Sequence, residues 1–201
     1  MNLLGVSLGN GNDKLGEVFS FSLPSKITCP GMSKWCKKNC YAYKYERRRP
    51  GCRKAYLNNL KLAQDIQNFK RVMIGVLPRI IPCFRIHVSG DFFISIEYIN
   101  AWIEICSAFP QIKFWSYTRS WIVPELLPSL EELKSLPNMQ LFASTDPFMP
   151  IPPKDWRIAF IDTDKRAQGM KCKTRQGKTK SCLSCGYCFH ETKGHVQFLI
   201  H

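Results

Sequence analysis

Apolar and polar side chains follow two different periods along the first half of the chain. Residues 17–23, EVFSFSL, alternate between the two kinds and predict a strand. Over residues 53–77 apolar side chains recur every three or four positions, which predicts one long amphipathic helix that ends before a proline. Residues 84–88 predict the next strand, and residues 95–109 predict a second helix.

The alternation of strands and helices continues to the end of the chain. Strands are predicted at residues 113–117, 140–144, 157–161 and 195–200, with a helix around 129–135. Strands that alternate with helices pair in parallel, because parallel neighbours need a crossover connection. The pattern therefore predicts the α/β class. Since no stretch reads as a linker, one domain over residues 1–201 is predicted.

The amino terminus and the apolar runs indicate the compartment. No run reaches the roughly 20 apolar residues that a membrane span requires. The first residues, MNLLGVSLGNGNDK, have neither a basic start nor a small-residue cleavage site, so they do not resemble a secretory signal. We therefore expect a soluble, cytoplasmic protein that does not contact a membrane.

The formal net charge of +14, from 29 basic and 15 acidic residues, changes the expectation about partners. Residues 34–54 hold nine of the basic side chains, and residues 165–180 hold seven. A surface with so large an excess of cations favours anionic partners. An anionic, phosphorylated substrate or a nucleic acid is therefore predicted.

Polar side chains stand where four predicted strands end. In a parallel barrel or an open parallel sheet these ends gather on one face, where ligands bind. The alternative is that they cap the helices that follow, as Asp, Ser and Thr often do. We predict a common catalytic site that positions a substrate, formed by His87, Ser89, Asp91, Tyr117, Arg119 and Asp146.

Eight of the ten cysteines fall into two groups. In a reducing compartment, clustered cysteines are more often metal ligands or redox centres than disulfides. The eight predicted metal ligands are Cys29, Cys36, Cys40 and Cys52 in the first group, and Cys172, Cys182, Cys185 and Cys188 in the second.

The second group forms a cysteine-rich insertion between the last two predicted strands. Cys182, Cys185 and Cys188 have the spacing Cys-x2-Cys-x2-Cys, which lets three thiolates surround one face of a [4Fe-4S] cluster. Zinc is the alternative, although four-cysteine zinc sites more often use two separated Cys-x2-Cys pairs.

The first group follows the first strand with the spacing Cys-x6-Cys-x3-Cys. Its fourth ligand is either Cys52, which lies in a turn before the long helix, or absent. In the second case one iron stays open to a substrate or a cofactor.

The three-cysteine loop, the adjacent Tyr41 and the polar turn Ser89-Gly90-Asp91 together resemble the layout of radical S-adenosylmethionine enzymes. This resemblance implies a partial or distorted (βα) TIM-like barrel and a cluster held by three cysteines. It also implies that Ser89, Gly90 and Asp91 bind S-adenosylmethionine. The sequence differs from those enzymes in its cysteine spacing and in having Ser-Gly-Asp instead of Gly-Gly-Glu.

A second resemblance covers most of the chain. The segments TCPGMSKWCKKNCYA, FRIHVSGDFF, EYINAWIEI, KFWSYTRSW, LFASTDP, KSCLSCGYCFH and HVQFLIH are similar to small proteins of phages and mobile elements that are related to the phage gene product 88 family. The resemblance implies a cluster-bearing barrel and a mobile-element context, and it implies no particular reaction.

The leading functional prediction is an iron–sulfur protein with two [4Fe-4S]-type clusters at the carboxyl ends of the strands. It would be a redox or radical enzyme, supplied with electrons by a partner such as a ferredoxin or a flavodoxin. The alternative is a nucleic-acid-binding accessory protein whose zinc or iron–sulfur sites are structural. A third option is an electron carrier without a substrate.

Overall fold

A seven-stranded parallel sheet is the framework of the computed structural model, which describes residues 2–3, 5–77, 81–92, 95–190 and 193–200. The strands are β1 (Asn2–Leu3), β2 (Val6–Ser7), β3 (Phe19–Phe21), β4 (Cys83–Ile86), β5 (Lys113–Thr118), β6 (Met139–Ser144), β7 (Arg157–Ile161), β8 (Met170–Lys171) and β9 (Val196–Phe198). The helices are α1 (Lys34–Asn39), α2 (Tyr41–Arg48), α3 (Pro50–Gln64), α4 (Ile66–Val76), α5 (Ile96–Ala108), α6 (Leu127–Ser135) and α7 (Cys182–Cys185), with a 3-10 turn at Ser120–Ile122.

The strand order in the sheet is β3-β4-β5-β6-β7-β9-β8, and all neighbouring pairs are parallel. The predicted α/β class is confirmed. The predicted TIM-like barrel is not, because β3 and β8 stand at opposite edges and the sheet stays open. The edge strand β8 has only two residues, which is too short a ladder to close a barrel. The cysteine-rich insertion lies between β7 and β9, as predicted.

One face of the sheet packs against the helices. Because successive side chains of a strand point to opposite faces, Phe84 and Ile86 of β4 face the helices and Arg85 faces away. The Phe84 ring lies 6.2 Å from the ring of Trp102 in α5. Both aromatic side chains are completely buried, so this face forms the main hydrophobic core.

The opposite face is covered by two segments that have little regular structure. Leu15, from the stretch before β3, and Phe189, from the cysteine-rich insertion, pack around Trp115 of β5. The rings of Trp115 and Phe189 are 5.0 Å apart. Farther along the sheet, Cys172 packs with Val196. The insertion is therefore attached to the sheet by apolar contacts.

The helix predicted over residues 53–77 is interrupted. Its two parts, α3 and α4, meet at Asp65, whose Oδ1 accepts a hydrogen bond from the Asn68 amide at 3.2 Å. An Asp side chain at a helix start competes with the helical hydrogen bonds, which ends α3 and begins α4. The helices α1 and α2 within the first cysteine segment were not predicted.

No helix in the described part of the chain is long and apolar enough to cross a membrane. Three predicted features reach beyond the described residues. Pro78, before which the long helix was predicted to end, is outside them, as are Phe93 and His201, the last residues of the segments FRIHVSGDFF and HVQFLIH.

Asn59 of α3 connects the start of the chain to the sheet. Its side-chain oxygen accepts a hydrogen bond from the Ser7 amide, and its amide group donates to the carbonyl oxygens of Ser7 and Ser22. The side chain is completely buried, so water cannot replace these three bonds.

Replacing Asn59 with Ala should lower the free energy of unfolding by about 3 kcal/mol, since partly buried groups of Ser7 and a buried carbonyl of Ser22 would lose their partners. Urea denaturation followed by tryptophan fluorescence measures this change. The matched control is the exposed neighbour Asn58, whose replacement with Ala should change stability by less than about 0.5 kcal/mol. Equal effects of the two substitutions would contradict the structural role of Asn59.

Candidate functional site

A cavity of about 350 Å³ lies at the carboxyl edge of the sheet. The ends of β4, β5, β6, β7 and β9 form its floor, and the first cysteine segment forms one side. The residues that line it from the strands and the turns after them are Arg85, His87, Val88, Ser89, Gly90, Asp91, Tyr117, Arg119, Ser144, Ile161 and Phe198. Those from the first cysteine segment are Cys29, Trp35, Cys36, Asn39, Cys40, Tyr41 and Ala42.

The structure brings the residues of the predicted catalytic site together. All but one of the six line the cavity, and Gly90 of the predicted cofactor turn lines it as well. The exception is Asp146, which does not line the cavity but accepts a hydrogen bond from the Arg119 guanidinium. Their catalytic roles, and the contact of the turn with S-adenosylmethionine, stay predictions.

Asp91 is a buried carboxylate with three hydrogen-bond donors. Its Oδ1 accepts from the Phe92 amide at 2.7 Å and from the Thr118 hydroxyl at 2.6 Å, and its Oδ2 accepts from the Arg119 amide at 2.8 Å. These bonds join the turn after β4 to the end of β5. Burial raises the pKa of Asp91 to about 6, although the bond from Thr118 and the two backbone bonds oppose the shift.

Arg119 and Asp146 form a buried ion pair next to the cavity. The Arg119 Nη1 atom lies 2.7 Å from Asp146 Oδ2, and the same oxygen accepts a hydrogen bond from the Ser33 hydroxyl at 2.6 Å. Ser33 also caps α1 by accepting from the Cys36 amide. A Cβ atom on Gly31 would lie 1.9 Å from the Arg119 carbonyl oxygen, so only glycine fits there.

His87 lines the cavity, but its ring contacts core side chains. Its Nε2 atom lies 2.9 Å from the Tyr98 hydroxyl, and its ring packs edge-on against Phe92 at 4.6 Å. Burial lowers the pKa of His87 to about 3, and the positive charge of Arg85 acts in the same direction. The residue has φ 57, a left-handed conformation that turns the chain away from the strand. Its carbonyl oxygen accepts from both Nε and Nη2 of Arg85, at 3.3 and 3.2 Å.

Glu46 of α2 was not among the predicted site residues. Its side chain is almost completely buried, and its Oε1 accepts from the Ser25 amide at 2.9 Å and from the Ser89 hydroxyl at 2.7 Å. Its Oε2 lies 3.5 Å from Arg53. Glu46 therefore joins α2 to the ends of both β3 and β4. The available signal was its position as the lone acid among the nine basic residues of 34–54.

Three cations line the cavity on the side of the sheet away from the helices. They are Lys14, Arg85 and Arg175. The Lys14 Nζ atom lies 4.4 Å from the centre of the Phe198 ring, and the Arg85 guanidinium lies 4.3 Å from the centre of the Tyr117 ring. The two rings contact each other edge-to-face at 5.3 Å. The aromatic pair thus supports two of the three cations.

The structure corrects the predicted iron–sulfur function. Among the residues that the structure describes, no three His, Cys, Asp or Glu side chains form a group that could hold a metal ion. The prediction of two clusters is therefore wrong, and so is the alternative that was built on structural zinc or iron–sulfur sites. The correction concerns all eight predicted ligands: Cys29, Cys36, Cys40, Cys52, Cys172, Cys182, Cys185 and Cys188.

Several of these cysteines have ordinary structural roles instead. Cys172 belongs to an apolar cluster with Phe142, and Cys182 and Cys188 pack against the cluster around Trp115. Burial raises the pKa of Cys188 to about 11, so its thiol is uncharged at neutral pH. The Cys40 sulfur accepts a hydrogen bond from the amide of Tyr43 and caps α2.

Removing the Glu46 carboxylate should separate α2 from the strand ends. We expect Glu46→Ala to lower the free energy of unfolding by about 3 kcal/mol, because Ser25 and Ser89 would lose a buried acceptor. Glu46→Gln keeps one side-chain oxygen and should cost less. Arg53→Ala, which breaks only the half-exposed ion pair, should cost under about 1 kcal/mol. Chemical denaturation ranks the three variants, and a larger cost for Arg53→Ala than for Glu46→Ala would refute this role.

The raised pKa of Asp91 predicts a pH dependence of stability. The folded state binds this proton more tightly than the unfolded state, whose pKa is about 3.9. The contribution of Asp91 to stability should therefore be fully present below about pH 4 and be lost, by about 3 kcal/mol, as the pH rises through 6. Comparison of wild type with Asp91→Asn across this range isolates the effect.

A direct control is the titration of the Asp91 carboxyl carbon by nuclear magnetic resonance. Its midpoint should lie near 6, and Thr118→Val should move it upward, since the Thr118 hydroxyl stabilises the ionised form. A midpoint near that of an ordinary aspartate would contradict the expected effect of burial.

Comparison with known proteins reveals related phage sequences. A family model described as Gene product 88 matches residues 6–191. The Gene 88 protein of Mycobacterium phage D29 is 29% identical over 227 residues, which cover 96% of this chain and 91% of the relative. The Gene 88 protein of Mycobacterium phage L5 is 29% identical over 218 residues, with 93% and 89% covered. No solved structure matches the chain.

These matches bear on both resemblances. They give no support to the radical S-adenosylmethionine layout, and the fold agrees with this correction, because Cys36 lies within α1 and Cys40 lies between α1 and α2 instead of in one open loop. The predicted resemblance to the phage proteins is confirmed, since the family model covers nearly the whole chain. The chain belongs to the gene product 88 family.

Proposed function

We propose that this protein binds a small anionic molecule in the cavity at the carboxyl edge of its sheet. The observation that carries the proposal is the charge of the cavity lining. Lys14, Arg85, Arg119 and Arg175 line it, and Asp91 is the one acid among the described lining residues. Carboxyl edges of parallel sheets are common ligand sites, and concentrated positive charge attracts anions.

Two charged residues of the lining, Asp91 and Arg119, have partners in the structure. Asp91 accepts hydrogen bonds from Thr118, Phe92 and the backbone of Arg119, and the Arg119 guanidinium is paired with Asp146. The charge of Arg119 is therefore offset by Asp146, whereas Asp91 keeps its own charge because its donors are uncharged. The proposed binding depends on Lys14 and Arg85.

Lys14 and Arg85 are held by groups that do not neutralise them. Aromatic rings support both, and Arg85 also donates to the His87 carbonyl oxygen. Within the described ranges, no carboxylate lies at ion-pair distance from either. An aromatic ring or a carbonyl offers only a partial negative charge, so the full positive charge of each side chain can act on a ligand.

A bound anion would also relieve an unfavourable arrangement. Burial lowers the pKa of Lys14, and the positive charges of Arg85 and Arg175 add to this shift, although the thiols of Cys172 and Cys182 act against it. Lys14 and Arg85 are partly buried, so they have lost hydration and the charge of one disfavours the charge of the other. An anion placed among them offsets both costs.

The polar side of the cavity supplies the remaining contacts in this proposal. Ser89, Asp91 and Tyr117 would contact the uncharged part of the ligand and position it. His87 would act indirectly, by holding Arg85 through its carbonyl oxygen. Of the two anionic partners predicted from the net charge, a small molecule and a nucleic acid, a concave cavity of about 350 Å³ favours the small molecule.

Calorimetric titration with inorganic phosphate, sulfate and acetate tests the proposal. We expect at least one of these anions to bind, and Lys14→Gln should weaken that binding about tenfold, because it removes one charge from the lining. Lys154→Gln is the matched control, since it makes the same change of charge at an exposed position that does not line the cavity. Equal weakening by both variants, or no binding at all, would refute the proposal.

A further inference from the structure

We propose that the anionic ligand is a phosphate monoester that carries a planar ring. Its phosphate group would lie against Lys14, Arg85 and Arg175, and its ring against Tyr41 and Trp35. This inference rests on the proposed function and narrows it to one class of ligand.

The number of cations favours a phosphate over a carboxylate. Lys14, Arg85 and Arg175 all line one cavity, and both arginines act electrostatically on Lys14. A carboxylate would bring a single negative charge to the two positive charges of Lys14 and Arg85 alone. A phosphate monoester carries a charge of about −1.5 to −2 at neutral pH and has three acceptor oxygens. One guanidinium group can donate two parallel hydrogen bonds to two of these oxygens.

The ring is inferred from the aromatic side chains beside the cations. The Tyr41 hydroxyl donates to the Val88 carbonyl oxygen at 2.9 Å, which holds the ring at the rim of the cavity, where 46% of the residue remains exposed. Tyr41 and Arg85 line the same cavity. Trp35 lines the same side of the cavity.

The size and the apolar part of the lining limit the ligand further. The volume of about 350 Å³ is near the lower end of the roughly 300–1,000 Å³ typical of ligand cavities. Ile161, Leu199 and Ile200 line it together with the aromatic residues. One ring system with one phosphate fits this space, whereas a dinucleotide would exceed it. A ligand without a ring would leave the apolar part of the lining exposed to water, which is unfavourable.

Titration with four simple probes at one pH and one ionic strength tests the inference. Phenyl phosphate combines the ring and the dianion, methyl phosphate lacks the ring, and benzoate has the ring with one charge. Inorganic phosphate is the reference. We expect phenyl phosphate to bind about tenfold more tightly than either methyl phosphate or benzoate.

Two variants of the exposed Tyr41 assign the ring contact without risk to the core. Tyr41→Leu should weaken phenyl phosphate about tenfold and leave methyl phosphate unchanged. Tyr41→Phe keeps the ring and should retain most of the affinity for phenyl phosphate. Arg85→Lys keeps the charge and loses the paired donors, so it should reduce the preference for phenyl phosphate over benzoate.

The possible results separate this inference from the function on which it rests. Benzoate binding as tightly as phenyl phosphate overturns the phosphate assignment while the anion-binding function stands. Equal affinities for phenyl phosphate and methyl phosphate overturn the ring assignment. If none of the four probes binds, both the inference and the proposed function fail.

Discussion

The buried ion pair between Arg119 and Asp146 is the interaction on which the arrangement around the cavity depends. Arg119 follows β5 and Asp146 follows β6, so the pair joins two neighbouring strand ends. Asp146 also accepts a hydrogen bond from Ser33, which begins α1. Breaking a buried pair leaves an uncompensated charge, which costs about 3–5 kcal/mol. The position of the first cysteine segment is therefore coupled to the sheet.

Glu46 holds the other end of that segment. It accepts hydrogen bonds from Ser25 and Ser89, so α2 is attached to the turns after β3 and β4. The single acid of residues 34–54 points inward, while most of the basic side chains are exposed. Two buried carboxylates, Glu46 and Asp146, thus hold the segment against the sheet, and most of its cations remain exposed to solvent. The surface of this region is positive because its single acid is buried and most of its basic side chains are exposed.

How well an element could be predicted depended on whether its signal was local. The strand at Arg157–Ile161 was predicted with the observed bounds, because its apolar run is continuous and β-branched residues mark it. The break at Asp65 was missed, since apolar periodicity continues across it and only the side-chain cap reveals it. The cysteines misled for a related reason. The spacing of cysteines along the chain does not determine the direction of their thiols. Cys172, for example, packs with apolar side chains.

By itself, the sequence determined the α/β class, the positions of the main strands along the chain and the polar residues at their ends, because periodicity and strand-end chemistry are local properties. It also determined the excess of positive charge and the resemblance to phage proteins. Only the tertiary structure decided that the sheet stays open, that Glu46 and Asp146 are buried, and that Lys14 and Arg85 meet across an aromatic pair. Contacts between residues distant in the chain depend on packing, which no local pattern contains.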